Sequence, residues 1–175
     1  AKAARAEAAI ELLSAMRAAG LEPDAVSYSS AIAASSRSAD VPKVLGLIGA
    51  MEDQGVEADS FSWSSAIAAC ERSGDWAAAL ALFERLREAG NADTIAVWNA
   101  AVSAAAAGGQ LERSLELLRE MRLQGLAPTV RSFNSCLKAC ERTASGEVAL
   151  DLLSEMPACD VKPDTISYTS VVSAL

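Results

Sequence analysis

The chain has 175 residues, with 15 basic and 23 acidic side chains, no histidine and a formal net charge of -8. That acidity weighs against a protein that coats phosphates, while 51% hydrophobic and 22% charged residues exclude a disordered or collagenous chain. Alanine and leucine dominate the apolar set and no apolar run approaches the ~20 residues that cross a bilayer, so a soluble, helix-rich fold is expected.

The N-terminal stretch "AKAARAEAAIELL" lacks a signal-peptide core followed by a cleavage site, so no targeting peptide is expected in this chain. Next comes "EPDAVSYSSAI", residues 22–32, which returns almost unchanged as "KPDTISYTSVV", residues 162–172. Stepping between the two phrases uncovers a period of 35: Tyr28, Trp63, Trp98, Phe133 and Tyr168 form one column and account for five of the eight aromatics. Met16, Met51, Leu86, Met121 and Met156 form a second column, and Gly20, Gly55, Gly90 and Gly125 a third, which Asp160 interrupts. Complete repeats therefore occupy 25–59, 60–94, 95–129 and 130–164, with a partial repeat contributing its second helix at 1–24 and another its first helix at 165–175.

Each unit reads as two helices. In "SFSWSSAIAACERSGD" apolar residues recur at helical spacing until Ser73-Gly74 breaks the pattern, and Asp75 can cap the second helix. In "WAAALALFERLREAG" the residues Ala79, Leu80, Leu82, Phe83 and Leu86 form a helical stripe, and Gly90 stands where a left-handed terminating residue is wanted. One hairpin cannot bury its own apolar face, but stacked copies bury each other's. The expectation is a single all-α array, a right-handed α-solenoid of about ten helices, with the aromatic column as packing. Repeat four is expected to be irregular: Pro157 in the last turn of its second helix should end that helix early.

The 35-residue period, the aromatic followed by Ser, Asn or Thr, the "ALxLLxxM" second helix and the closing "GLxPD" resemble pentatricopeptide repeats over the whole chain. The uninterrupted spacing is similar to the P-type subclass, and the resemblance implies binding of single-stranded organellar RNA, one base per repeat. It pairs the residue after the aromatic with the last residue of the same repeat as base readers: Ser29 with Asp59, Ser64 with Thr94, Asn99 with Thr129, and Asn134 with Asp164, leaving Thr169 without a partner. By the family's code the first pair suits G and the last U, while the Thr-ended pairs suit a purine and a pyrimidine. The resemblance also makes Val26, Phe61 and Ile166 wedges between bases; Ala96 is small for that role and Arg131 departs from it. Lys2, Arg37, Arg72 and Arg142 share the column where the family places a phosphate contact, which Ala107 breaks.

Two bland alternatives stand beside these roles. Ser, Thr and Asn near helix starts commonly cap or bond locally, and Arg or Lys near a helix C-terminus is favoured by the macrodipole alone. Over the first 15 positions of the four complete repeats, five basic residues face two acidic ones, so the acid is concentrated on second helices and turns. Without His or a CxxC pair, Cys70, Cys136, Cys140 and Cys159 are expected to be reduced thiols and no metal or cofactor is expected. No nucleophile–base pair or phosphate loop is visible, so no enzymatic activity is expected. The resemblance implies single-stranded RNA as the expected partner, with no DNA and no membrane insertion expected; the alternative is a scaffold contacting other protein subunits of an organellar complex. An organelle, mitochondrion or plastid, is implied by the resemblance alone.

Overall fold

The computed structural model describes residues 2–88 and 90–175, with side chains from Arg5 onward. Ten helices follow one another, and no strand occurs among the described residues: α1 (Lys2–Ala18), α2 (Ala25–Ser36), α3 (Val41–Asp53), α4 (Ser60–Ser73), α5 (Trp76–Glu88), α6 (Ile95–Ala107), α7 (Leu111–Leu123), α8 (Val130–Thr143), α9 (Gly146–Ala158) and α10 (Thr165–Ala174). The even-numbered helices start at 25, 60, 95, 130 and 165, so the period seen in the sequence is the period of the fold.

Two layers result. The even helices stack directly on one another, α2 on α4, α4 on α6, α6 on α8 and α8 on α10. Each odd helix packs on its neighbouring even helices, and among the described residues no two odd helices approach each other through their backbones. The even helices can approach because small side chains line their contacts: Ala66, Ala69, Ala100, Ala101, Ala104, Ala105 and Ala139 are all buried. They form the inner layer of the solenoid and the odd helices the outer one. Between the layers run the two ladders of the sequence. Tyr28, Trp63, Trp98 and Phe133 are buried from the inner side and Met51, Leu86, Met121 and Met156 from the outer side. Trp98 meets Phe83 edge-on at 4.8 Å and donates its indole N–H to the Ala92 carbonyl at 2.8 Å, so its one polar atom is satisfied. Tyr168, on α10, is the exposed member of its column.

Helix ends repeat as faithfully as helix starts. After each described odd helix a left-handed residue lets the next backbone N–H reach back to the ladder residue: Leu21 to Met16, Val56 to Met51, Asn91 to Leu86, Leu126 to Met121 and Val161 to Met156, all at 2.9–3.1 Å. Gly20, Gly55, Gly90 and Gly125 supply the positive φ in the first four.

The expected early end of α9 is not observed. The helix runs through Pro157 to Ala158, thirteen residues like α3, α5 and α7. Proline at 157 lacks only its own N–H, in the final turn, while Met156 and Leu152 stay buried and anchor the register. Asp160 takes the glycine's conformation at φ 61°, so the terminating bond from Val161 still forms. Repeat four is regular.

Candidate functional site

Every reader and wedge position lies in the first turns of the even helices or at the residue before them. The closing residue of each repeat is the N-cap of the next even helix. Asp24, Asp59 and Asp164 accept the backbone N–H of Ser27, Ser62 and Ser167 at 2.8, 2.8 and 2.9 Å. Thr129 caps Ser132 at 3.4 Å. Thr94 occupies the same place without making the bond, and its Oγ1 is buried with no partner. Capping, the bland alternative for these residues, is thus realised at four of the five even-helix starts, and it fixes where their remaining oxygens point. The Asp164 carboxyl is held below its usual range by the Ser167 N–H and by the Asn134 amide. Asp24 is held down in the same way by the hydroxyl and N–H of Ser27.

The structure brings together two of the four pairs read from the sequence. Asn134 Nδ2 donates to Asp164 Oδ1 at 3.1 Å, and Asn99 Nδ2 donates to Thr129 Oγ1 at 3.3 Å. Ser29 and Ser64 instead donate into their own helix, to the Val26 and Phe61 carbonyls at 3.2 and 3.0 Å, because a serine is too short to span the joint. Thr169 likewise donates to the Thr165 carbonyl. The wedge column is open: Val26, Phe61 and Ile166 are 69%, 55% and 50% exposed, large apolar side chains held in solvent at repeat intervals, and Ala96 and Arg131 are also exposed.

Around the fourth joint Asn134, Asp164 and Ile166 line a cleft of about 530 Å³ together with Arg131, Lys138 and Arg142. A second cleft, of about 660 Å³, holds Phe61, Ser64 and Asn99 with Arg37, Arg72 and Arg131. These two clefts thus gather Asn134, Asp164 and Ile166, and Phe61, Ser64 and Asn99, with the basic side chains, whereas Asp59 lines a separate cleft beside Trp63 and Arg85. The basic column has a further attachment that sequence did not reveal. Arg72 donates from Nε and Nη2 to the last carbonyl of α2, at Ser36, at 3.0 and 2.8 Å. Arg142 donates to the Ala106 carbonyl at 3.2 Å and also to that of Ala107, at the end of α6. Each guanidinium thus clamps the negative end of the preceding inner helix. Since a guanidinium carries five N–H groups, donors remain that can face the groove. Arg37 is exposed at the end of α2, and the side chain of Lys2 lies outside the described residues.

Sequence reasoning also missed the serine before the aromatic. Ser62, Ser132 and Ser167 are fully buried at the third position of their helices, and Ser132 and Ser167 bond to Asn99 and Asn134 of the repeat before. The signal was present in the recurring "SY", "SW" and "SF" pairs. The cysteines are free thiols, and burial pushes Cys136 up to about 12. Among the described residues no group of acidic or thiol side chains could hold a metal, and no helix is long and apolar enough to cross a membrane.

A pentatricopeptide repeat domain profile matches residues 94–142, and a PPR repeat profile matches 61–91 and 131–161, together more than half of the chain. The chain belongs to the pentatricopeptide repeat family. No curated protein matches it. Among solved structures, this pentatricopeptide array is similar to the pentatricopeptide repeat protein PPR10 in complex with an 18-nt psaJ RNA element, at 30% identity and a TM-score of 0.74, covering 98% of this chain and 24% of the other. It is also similar in fold to the PPR domain of Arabidopsis thaliana protein-only RNase P 1 in complex with tRNA. That match has 16% identity and a TM-score of 0.69, over 82% of this chain and 76% of the other. The array thus spans about a quarter of the length of the first of these structures.

Proposed function

We propose that the inner face binds single-stranded RNA sequence-specifically, one base per joint, and that the chain acts as a non-catalytic recognition module in organellar RNA metabolism. The observation that carries this reading is the fourth joint, where a capped Asp164, a bonded Asn134, an exposed Ile166 and three cations share one cleft. The 30% identical array crystallised with RNA supports it. The chemistry of base edges fits the pairs. Asn134 spends one N–H on Asp164 and one lone pair on Ser167, which leaves one donor and one acceptor, the complement of the N–H and carbonyl edge of uracil. Asp59 has one carboxylate oxygen beyond the one in its cap, and guanine presents adjacent donors to such a group. Val26, Phe61 and Ile166 would separate successive bases, and Arg37, Arg131 and Lys138, with the spare donors of Arg72 and Arg142, would meet phosphates.

If each engaged base contributes ~1 to 3 kcal/mol in stacking, four joints supply roughly 4 to 12 kcal/mol before the RNA's ordering is subtracted. Micromolar binding needs about 8 kcal/mol. The expected result in fluorescence anisotropy with short single-stranded RNAs is micromolar or weaker affinity that falls as salt rises. Asn134→Ser should then turn a preference for U into one for G at a single RNA position. Affinity for no RNA at any salt concentration would overturn the reading and favour a face that contacts protein subunits.

A further inference from the structure

The reader side chains of repeats three and four are not free to turn. A carboxamide has an oxygen and a nitrogen of nearly the same size at opposite corners, so a rotation of half a turn about its last bond exchanges the acceptor and the donor shown to a base. What decides the orientation is the hydrogen bonding of the corner away from the groove. At the fourth joint the N–H of Asp164 donates to Ser167 Oγ at 3.1 Å, which directs the serine's own proton outward. That proton goes to Asn134 Oδ1 at 2.7 Å, with Asp164 Oδ1 a longer alternative at 3.0 Å. Asp164, an acceptor only, receives the Asn134 Nδ2 proton. Both contacts select one orientation of the amide. The third joint repeats the ring with different atoms: the N–H of Thr129 donates to Ser132 Oγ at 2.9 Å, Ser132 donates to Asn99 Oδ1, and Asn99 Nδ2 donates to Thr129.

The first two joints carry no such ring. Ser62 has the same buried position as Ser132 and Ser167, yet its Oγ has no partner because Ser29 turns back to Val26. At the second joint Val97 replaces the serine and Thr94 Oγ1 is the orphan.

We propose that Ser132 and Ser167 are positioning residues that lock the amides of Asn99 and Asn134 in one orientation, and thereby set base selectivity at the third and fourth joints. The proposal rests on the RNA-binding reading for its consequence, but the lock itself is a property of the free protein. Ser167→Ala removes the hydroxyl and nothing else, so the Asn134 amide should begin to turn about Cβ–Cγ, and in NMR spectra of isotope-labelled protein its Hβ–Nδ2 couplings, which report that rotation, should move from single-rotamer toward averaged values. With RNAs differing at one base, the same variant should lower the U-over-G ratio at the fourth position by roughly two- to tenfold, the factor that one net hydrogen bond is worth. The ratio at the third position should stay as it is. Ser132→Ala, in the interior of the array, should do the converse through Asn99 and keeps the test available if Ser167→Ala frays α10. Ser62→Ala, which deletes an orphan hydroxyl, should leave base ratios untouched. Unchanged Asn134 Hβ–Nδ2 couplings in Ser167→Ala would overturn the lock, as would an equal loss of affinity for every RNA with the base ratios intact. A parent protein that binds no RNA would defeat the reading of function, while the couplings would still decide the lock.

Discussion

The inner and outer helix layers share a sequence period but use their charges in opposite ways. Every salt bridge among the described residues lies on the odd helices or at their N-caps. Arg113 of α7 reaches Glu84 of α5 at 2.5 Å and its own helix's Glu116 and Glu120 at 3.0 and 3.3 Å, Arg87 pairs with Glu84 and Glu120, and Arg122 pairs with Glu155 of α9. The outer helices do not touch one another through their backbones, so these side chains bridge the gap between repeats. In the inner layer the repeats meet directly through alanines, and cations there either cap helix ends, as Arg72 and Arg142 do, or stand in the groove, as Arg131 and Lys138 do. A net charge of -8 therefore describes mainly the outer layer and says little about the face that would meet a ligand.

The contrast breaks most strongly where the layers join. Trp98 is 2% exposed and wedged against Phe83, so Trp98→Ala should cost about 3 to 5 kcal/mol in chemical denaturation. Leu123, on the outer layer and 84% exposed, should change stability by no more than about 0.5 kcal/mol when cut to alanine. Comparable losses at both positions would mean that the core does not lie between the layers. A finer probe is Gly108, at the end of α6. A Cβ there would collide with Cγ of Trp76 at the start of α5 and fall 2.8 Å from its Cδ1, and an indole ring cannot yield as a flexible chain end would. Gly108→Ala should cost roughly 1 to 3 kcal/mol through overpacking, and Trp76→Ala in the same molecule should recover most of that loss. Additive losses in the double variant would show that the two residues do not press on each other.

Legibility in sequence followed the same division. The helices and their starts could be read because each depends on one residue at a fixed interval, a cap or an aromatic, as could the periodic column of Val26, Phe61 and Ile166, which the structure leaves exposed. The contacts that cross a joint could not, because they depend on two repeats at once. Arg72 looks alike whether it awaits a phosphate or holds the Ser36 carbonyl, and Ser167 looks like an ordinary helix-start serine until Asn134 is placed beside it. Pro157 misled for a related reason. A proline's local preference was set against a register held by buried Met156 and by the Val161 bond across the helix end, and the tertiary anchors prevailed.

Charge removal sharpens the comparison with effects near 1 kcal/mol. Arg113→Ala takes out a partly exposed hub and should lower stability by about 0 to 1 kcal/mol, less at high salt. RNA affinity should not change. Arg131→Ala and Lys138→Ala should leave stability nearly as it was, weaken RNA binding, and each reduce the salt slope by about 0.7, the value for one phosphate contact on a single strand. A salt slope that responds to Arg113 and not to Arg131 would place the RNA on the outer layer.

The smallest effect separates the joints within the inner layer by acid. In the folded chain the Asp24 and Asp164 carboxyls lie below their ordinary value of 3.8, because Ser27 and Ser167, and for Asp164 also Asn134, bond to the charged form. A depressed folded-state value means that the folded chain binds fewer protons than the unfolded one, so the stabilisation is fully present above 3.8 and is lost as pH falls through the depressed value. Thr129, which caps α8 with a hydroxyl, does not titrate in that range. In an acid titration followed by amide chemical shifts, the Ser27 and Ser167 N–H signals should therefore shift below pH 3.8 while that of Ser132 stays put. Asp164→Asn should abolish the Ser167 response and spare that of Ser27, since the two carboxyls sit at opposite ends of the array. Three signals moving together would mean that the array unfolds as a whole before any cap is lost, and that the joints are not independent acid-sensitive elements.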